Sequence, residues 1–264
     1  MFNTTIATQI YAKICFEATN SQKKIIENLS EYLSDDDFSR IFVLNGFAGT
    51  GKTTLIAALV AALKELRIKP VLLAPTGRAA KVLARYCGEQ ALTIHKRIYR
   101  QRTNADYESK FSLDFNREQG AVFIVDEASM LSDSTGDGAL FGSGSLLEDL
   151  VSYVRSGRGC RLILVGDSAQ LPPVGCDFSP ALDPATVSRY GEVVYGLMDE
   201  VVRQQMQSGI LFNATLVRCM LENRIYEIPK FEMDYPDFES VEGGDFMEKL
   251  QDAFDRYGRD EVIV

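Results

Sequence analysis

One eight-residue segment constrains the fold of this 264-residue chain more than any other. It reads GFAGTGKT over residues 46–53, and it follows the apolar run IFVL at 41–44. Its glycines allow backbone N–H groups to turn toward a phosphate at the start of a helix. The Ala- and Leu-rich residues 52–66 that come next are typical of that helix. The segment therefore predicts a phosphate-binding loop between a strand and a helix.

Residue types in this loop suit Mg-ATP. Lys52 is expected to reach the β- and γ-phosphates, and the Thr53 hydroxyl to ligate Mg²⁺. Nucleotide contacts are expected from Gly46, Phe47, Ala48, Gly49, Thr50, Gly51, Lys52, Thr53 and Thr54. The alternative is a glycine-rich turn with a structural role only.

Three further apolar runs follow along the chain, PVLLAPTG at 70–77, AVFIVDE at 121–127 and RLILVGD at 161–167. They are almost continuously apolar, as strands buried on both faces are. Helical patterns lie between them at 78–87 and 144–157. This alternation predicts an α/β fold, with a parallel sheet, helices on both faces and a site at the carboxyl ends of the strands.

Two acids stand at the end of the third run, in the segment IVDEAS at 124–129. Asp126 is predicted to hold Mg²⁺, and Glu127 to orient or deprotonate the attacking water. A water-directed acid favours hydrolysis over phosphate transfer to a small molecule. The alternative is that both acids cap the following helix.

The fourth run continues as GDSAQLPPVG, which delivers Gln170 to the same predicted edge of the sheet. An amide is both donor and acceptor, so Gln170 could respond to the γ-phosphate or to the attacking water. The two prolines that follow would stiffen the backbone and transmit a displacement. The alternative is a turn with a solvent-facing glutamine.

Charge is unevenly distributed in a chain whose formal net charge is −9. Residues 78–102 carry seven bases and one acid, whereas residues 221–264 carry thirteen acids and five bases. The basic segment predicts contacts to a phosphate backbone, with a solvated helical face as the alternative. Tyr86, Tyr99 and Tyr107 are candidate stacking platforms for bases, with core packing the favoured alternative for Tyr86.

Cysteine usage and hydropathy indicate the compartment. The five cysteines form no CxxC pair, which is typical of a reducing compartment. No run of 18 apolar residues occurs, and the first 20 residues lack the pattern of a secretory signal. We therefore expect a cytoplasmic location and no membrane segment.

Six motifs occur together in the chain: GFAGTGKTT, APTGRAAKVL, TIHKRIY, VDEASM, GDSAQLPPV and EVVRQ. Their order and spacing resemble those of RecD-like DNA helicases of superfamily 1B, over residues 18–264. The resemblance implies a RecA-like motor domain that couples Mg-ATP hydrolysis to movement on single-stranded DNA. The resemblance also implies recombination or repair proteins as candidate partners.

The resemblance also implies roles for individual residues. Gln22 matches the adenine-reading glutamine of the family, Gln170 the residue that couples nucleotide to DNA, and Arg203 an arginine that reaches the γ-phosphate. Contacts to single-stranded DNA are implied for Pro75, Thr76, Gly77, Arg78, Thr93 and His95. The alternatives are a solvent-facing Gln22, a core His95 and a surface ion pair for Arg203.

The predicted domain organisation follows from the same resemblance. Residues 1–228 are predicted to form the RecA-like ATPase domain, with a small insertion at 97–119. Residues 229–243 are a predicted linker, and 244–264 the beginning of a second RecA-like domain. We expect a fragment that does not unwind DNA alone, unless the gene product is naturally short. The alternative functions are a P-loop phosphotransferase and a non-hydrolysing nucleotide-binding module.

Overall fold

The computed structural model of the chain describes residues 2–14, 16–103, 109–133, 141–200, 208–258, 261–262 and 264. It divides into two compact units, residues 1–202 and 203–264. The helices of the first unit are α1 Phe2–Lys13, α2 Asn20–Ser34, α3 Lys52–Glu65, α4 Gly77–Cys87, α5 Ile94–Ile98, α6 Leu146–Ser156 and α7 Pro184–Val187. Its strands are β1 Ile41–Gly46, β2 Pro70–Ala74, β3 Ala91–Thr93, β4 Tyr99–Thr103, β5 Ser109–Leu113, β6 Val122–Val125, β7 Arg161–Gly166 and β8 Val193–Met198.

Six of these strands form one parallel sheet in the order β3-β2-β6-β7-β1-β8. The predicted α/β class is confirmed, and the four apolar runs are β1, β2, β6 and β7. Two strands were not predicted, namely β3 and β8 at the two edges of the sheet. Since all six strands run in the same direction, their carboxyl ends meet at one edge.

Two hydrophobic cores cover the two faces of the sheet. Alternate residues of β1 serve each core, with Phe42 and Leu44 in one and Ile41 and Val43 in the other. The first core contains the buried faces of α2 and α3, and the second contains those of α5 and α6. Burial on both faces explains why the strands read as continuous apolar runs.

Helix boundaries follow side-chain caps. Thr19 and Gln22 form a reciprocal capping box at the start of α2. The Thr76 hydroxyl accepts a hydrogen bond from Ala79 N at the start of α4, and α4 ends at Gly88 with a φ of 62°. Within the described ranges, no helix combines the length and the hydropathy needed to cross a membrane.

The predicted insertion at 97–119 contains an antiparallel hairpin of β4 and β5. Phe111 stacks on Phe141 with ring centroids 4.5 Å apart. The Tyr99 hydroxyl donates to Asp149 Oδ2 at 2.6 Å. These contacts anchor the strand pair to α6 and to the segment that leads into it.

The second unit contains α8 Gly209–Glu222 and α9 Phe246–Tyr257. Asn213 joins α8 to the chain that follows, because its amide exchanges two hydrogen bonds with the Glu232 backbone, at 2.7 and 2.8 Å. Near the C-terminus Glu261 and Val262 belong to no helix or strand, and Ile263 lies outside the described residues. The predicted boundaries of the domain, linker and second domain stay predictions.

A buried tyrosine provides a test of how α2 is attached to the sheet. The Tyr32 hydroxyl donates to Leu162 O at 2.8 Å and accepts from Leu162 N at 3.1 Å. Tyr32→Phe removes these two bonds and a longer one from the hydroxyl to Arg40 O at 3.3 Å, so we expect the free energy of unfolding to fall by about 1–3 kcal/mol. Urea denaturation measures this change, with Tyr226→Phe at an exposed position as the control. Equal stability of the two variants would contradict the attachment.

Candidate nucleotide-binding site

The loop between β1 and α3 has the backbone of an anion cradle. Gly49 and Gly51 have φ values of 76° and 85°, in the left-handed region that favours glycine. A Cβ on Gly46 would lie 2.9 Å from Met198 Cβ, so a side chain does not fit there. Gly51 caps α3 without a side-chain hydrogen bond. The first-turn N–H groups of α3 lack partners within the helix and can therefore bind an anion.

Lys52 is the first residue of α3, and its ammonium turns back over the loop. Lys52 Nζ donates to Gly46 O at 2.6 Å and to Phe47 O at 2.9 Å. It also lies 3.9 Å from Asp167 Oδ2, at the end of β7. The cation is thus located where the loop and the carboxyl end of the sheet meet.

Asp126 follows β6 and continues its ladder, because Asp126 N donates to Leu73 O of β2 at 3.0 Å. Its Oδ1 accepts a hydrogen bond from Glu127 N at 3.0 Å. Burial raises the pKa of Asp126 above its ordinary value, and the charge of Lys52 opposes that rise. The ionised carboxylate is therefore held in this site at a cost.

Glu127 has a left-handed backbone, with φ 54° and ψ 38°. For a residue with a side chain this conformation costs about 1–3 kcal/mol and is concentrated at functional sites. Burial and the neighbouring Asp126 raise the pKa of Glu127, against the opposing charge of Lys52. Its side chain makes no capping hydrogen bond, so the capping alternative is wrong for Glu127.

The loop after β7 carries Asp167 and Gln170. Asp167 is buried and folds the loop into a turn, since its Oδ1 accepts from Ala169 N at 2.9 Å and its carbonyl from Gln170 N at 3.1 Å. Gln170 is exposed, and its coupling role stays a prediction. The sequence motifs predict no role for Asp167, although Asp167 directly follows a buried strand, as Asp126 does.

Gln22 is 1% exposed, which excludes the solvent-facing alternative. Its Nε2 donates to Thr50 O of the phosphate-binding loop at 2.9 Å, and its Oε1 accepts from Thr19 N at 3.0 Å. Adenine recognition by Gln22 stays a prediction. A cleft of about 410 Å³ is lined by the start of α2, by β8 and by the two residues that follow β8. The lining includes Asn20, Ser21, Lys24, Tyr195, Asp199 and Glu200.

The segment predicted to grip single-stranded DNA leaves β2, next to the strand that carries Asp126. Thr76, Gly77 and Arg78 are exposed, and Pro75 is half-buried. The last residue of β2 is in register with Thr93 on β3, so the two predicted DNA-contacting segments lie side by side. Their contact with DNA stays a prediction.

Two residues of the basic segment differ from expectation. Tyr86 is 64% exposed, so the expected core packing is wrong and its ring is accessible. Arg97 donates to Glu118 Oε1 at 2.6 Å and is partly buried, so an ion pair holds it.

His95 is half-buried and packs against Tyr99 and Phe141, with ring centroids 5.6 and 5.1 Å apart. Burial lowers its pKa, which favours a neutral imidazole. Whether His95 contacts DNA therefore stays a prediction. Arg203 and Tyr107 lie outside the described residues.

Fold and site together define a P-loop nucleotide-binding domain of the α/β class. Residues 17–212 match the AAA domain family, and the chain belongs to that family as a RecD-like motor domain of superfamily 1B.

Three similar proteins show the extent of the likeness. The chain is 30% identical over 154 residues to the ATP-dependent RecD2 DNA helicase of Deinococcus radiodurans, covering 58% of this chain and 19% of that protein. It is 33% identical over 201 residues to the RecBCD enzyme subunit RecD of Mycobacterium tuberculosis, covering 62% and 32%. It is 34% identical over 136 residues to the ATP-dependent DNA helicase dda of Enterobacteria phage T4, covering 50% and 28%. The matched region thus spans about a fifth to a third of these relatives.

The buried carboxylate of Asp126 provides a test of the site. Because its folded-state pKa is raised above the unfolded value, ionisation of Asp126 destabilises the fold at neutral pH and protonation relieves this. We expect Asp126→Asn to raise the free energy of unfolding by roughly 1 kcal/mol at neutral pH. The gain should shrink as the pH falls toward the ordinary carboxyl pKa of about 4. Urea titrations at several pH values measure it, and a variant less stable than wild type at neutral pH would contradict it.

Proposed function

We propose that this chain is the first motor domain of an ATP-dependent DNA helicase that hydrolyses ATP and moves on single-stranded DNA. The observation that carries the proposal is the meeting of Lys52, Asp126, Glu127 and Asp167 at one edge of the sheet. The segment that begins at Pro75 follows β2, and β2 pairs with β6, the strand that leads to Asp126. A hydrolytic site beside a predicted DNA-gripping segment suits a motor better than a phosphotransferase.

The P-loop and Lys52 bind the phosphates in this proposal. First-turn N–H groups of α3 donate to phosphate oxygens, and Lys52 moves from the loop carbonyls to the β- and γ-phosphates. Gln22 reads the adenine, and the cleft between α2 and β8 accommodates the base. This assignment is supported by the bond from Gln22 to Thr50, which joins the base side of the site to the loop.

Mg²⁺ would be held by Thr53 and Asp126, where it would offset the negative charge of the phosphates. Asp126 fits this role because it is a buried carboxylate with an elevated pKa, which a cation would stabilise in the ionised form. The described ranges contain no cluster of three or more His, Cys, Asp and Glu residues that could hold a metal. Mg²⁺ needs no such cluster, since it takes one or two protein carboxylates together with substrate phosphates.

Glu127 acts as the general base. Its carboxylate takes a proton from a water molecule, whose oxygen forms a bond to the γ-phosphorus as the bond to the bridging oxygen breaks. The bridging oxygen keeps the electron pair, and the products are ADP and phosphate. The raised pKa of Glu127 brings it closer to the working pH, which favours proton transfer.

Gln170 and Arg203 complete the proposed machinery. Gln170 senses the γ-phosphate from the loop after β7, and Arg203 stabilises the charge that develops on it. Pro75, Thr76, Gly77, Arg78, Thr93 and His95 contact the backbone of a DNA single strand. Recombination or repair proteins are the proposed partners of the whole protein, and one relative is named as a subunit of a larger enzyme, RecBCD.

A cytoplasmic location is part of the same proposal. It is supported by the cysteines, since Cys87, Cys160, Cys176 and Cys219 are free thiols.

Two substitutions separate nucleotide binding from hydrolysis. Lys52→Ala should abolish tight binding of Mg-ATP, whereas Glu127→Gln should keep binding and lower hydrolysis by about 100-fold or more. Fluorescent-nucleotide titration and single-turnover phosphate release measure the two effects. Glu148→Gln, at an exposed position of α6, is the matched control. Hydrolysis by Glu127→Gln at the wild-type rate would overturn the role of Glu127.

DNA binding is tested by charge reversal at the two ends of β2. Arg78 follows β2 and Arg67 precedes it, and both are exposed. Arg78→Glu should weaken binding of oligo-dT and of mixed single strands equally, and should reduce the salt dependence by a slope of about one. Arg67→Glu makes the same change in charge and should leave binding unchanged. Fluorescence anisotropy at several salt concentrations distinguishes them, and equal loss in both variants would contradict the interface.

A further inference from the structure

Asn45 is a buried polar residue in a strand that is otherwise apolar. It is 5% exposed and stands near the end of β1, directly before Gly46 of the P-loop. In the sheet β1 lies between β7 and β8, and Asn45 is in register with Gly166 and Leu197. A polar side chain buried here destabilises the fold unless it is hydrogen-bonded.

The Asn45 amide links β1 to the loop after β7 and to the middle of β8. Its Oδ1 accepts from Ser168 N at 3.0 Å, while its Nδ2 donates to Ser168 Oγ at 2.8 Å and to the Tyr195 hydroxyl at 3.0 Å. Because Ser168 N can only donate, the orientation of the amide is determined. Both amide hydrogens and one carbonyl lone pair are thus engaged.

Two of these three bonds hold the loop that carries Gln170. Ser168 is exposed and lies two residues before Gln170, in the turn that the Asp167 side chain folds. Asp167 is in turn 3.9 Å from Lys52. The loop is therefore tied to the P-loop from two sides, through the carboxylate of Asp167 and through the amide of Asn45.

We infer that Asn45 is a positioning residue that transmits the state of the P-loop to the loop at 167–170 and thereby sets the position of Gln170. A shift of the P-loop moves the backbone next to Asn45, and its paired bonds to Ser168 carry the Gln170 loop along. The inference deepens the proposed function and rests on it for the role of Gln170. The side-chain bonds of Asn45 go to Ser168 and Tyr195, and in this inference it acts through the two bonds to Ser168.

The test compares Asn45→Leu, which removes all three bonds at similar volume, with Tyr195→Phe, which removes only the bond to β8. Amide hydrogen exchange of residues 166–171 is measured with and without Mg-ADP, and the Kd of a fluorescent ADP analogue is measured in parallel. Because Tyr195 also lines the proposed base cleft, each protein is saturated with Mg-ADP according to its own Kd, and under that condition Mg-ADP should slow exchange in the loop of wild type and of Tyr195→Phe. In Asn45→Leu, exchange at Ser168 should be up to about tenfold faster and should no longer respond to Mg-ADP. The Kd of Asn45→Leu for the fluorescent ADP analogue should stay within about a factor of three of the wild-type value.

Ser168→Ala is the second variant, because Ser168 is exposed and its change cannot disturb the core. It removes one of the two bonds to the loop, so the response to Mg-ADP should be reduced. If Asn45→Leu fails to fold, the response of Ser168→Ala to Mg-ADP decides whether the inference holds. A full response in Asn45→Leu, or in Ser168→Ala where that variant decides, would overturn the inference, as would an equal loss in Tyr195→Phe.

Turnover with and without oligo-dT separates this inference from the proposed function. If wild type binds Mg-ADP but DNA does not stimulate ATP hydrolysis, the motor assignment is wrong, and the exchange data still decide the role of Asn45. If wild type does not bind Mg-ADP, both proposals are wrong.

Discussion

The placement of one lysine among three carboxylates determines most of what this site can do. Lys52 lies between the P-loop carbonyls and Asp167, and its charge lowers the pKa values of Asp126 and Glu127. The effect of burial is larger, so both pKa values remain raised. Lys52 and the three carboxylates therefore give this edge of the sheet an excess of negative charge, in surroundings that are partly shielded from water. A site of this kind suits a cation that arrives with its substrate, because the cation relieves the cost only when the site is filled.

The fold maintains this charged edge because the strands behind it are buried between two apolar cores. Two apolar cores clamp the strands, and parallel pairing brings their carboxyl ends to the same edge. Glu127 has a left-handed backbone within the site, as Arg67 and Arg224 have outside it. Close packing reaches the P-loop too, since Gly46 has no room for a side chain beside Met198. Stability from the cores thus supports local features that would otherwise relax.

The sequence predicts the centre of the sheet well and its edges poorly. Strands β1, β2, β6 and β7 are buried on both faces and read as apolar runs, whereas β3 is short and half-buried and β8 alternates between exposed and buried positions. The same limit applies to the site. The motif spacing predicts Lys52, Asp126 and Glu127 at one edge. It does not predict that Gln22 bonds Thr50, because that contact joins residues 28 positions apart on separate elements. The ion pair of Arg97 with Glu118 is equally non-local.

Hydrogen bonds hold the P-loop at both of its ends. Asn45 precedes the loop and binds Ser168, and Thr50 within the loop accepts a bond from Gln22 on α2. A displacement of the loop on phosphate binding therefore reaches two places at once. One is the start of α2, where the base is proposed to bind, and the other is the turn that carries Gln170. Both links are direct hydrogen bonds of 2.8 to 3.0 Å, so under the inference drawn from Asn45 a small shift of the loop backbone would move both partners. In the proposed function, this connectivity would carry the nucleotide state of the domain to the surface that faces DNA.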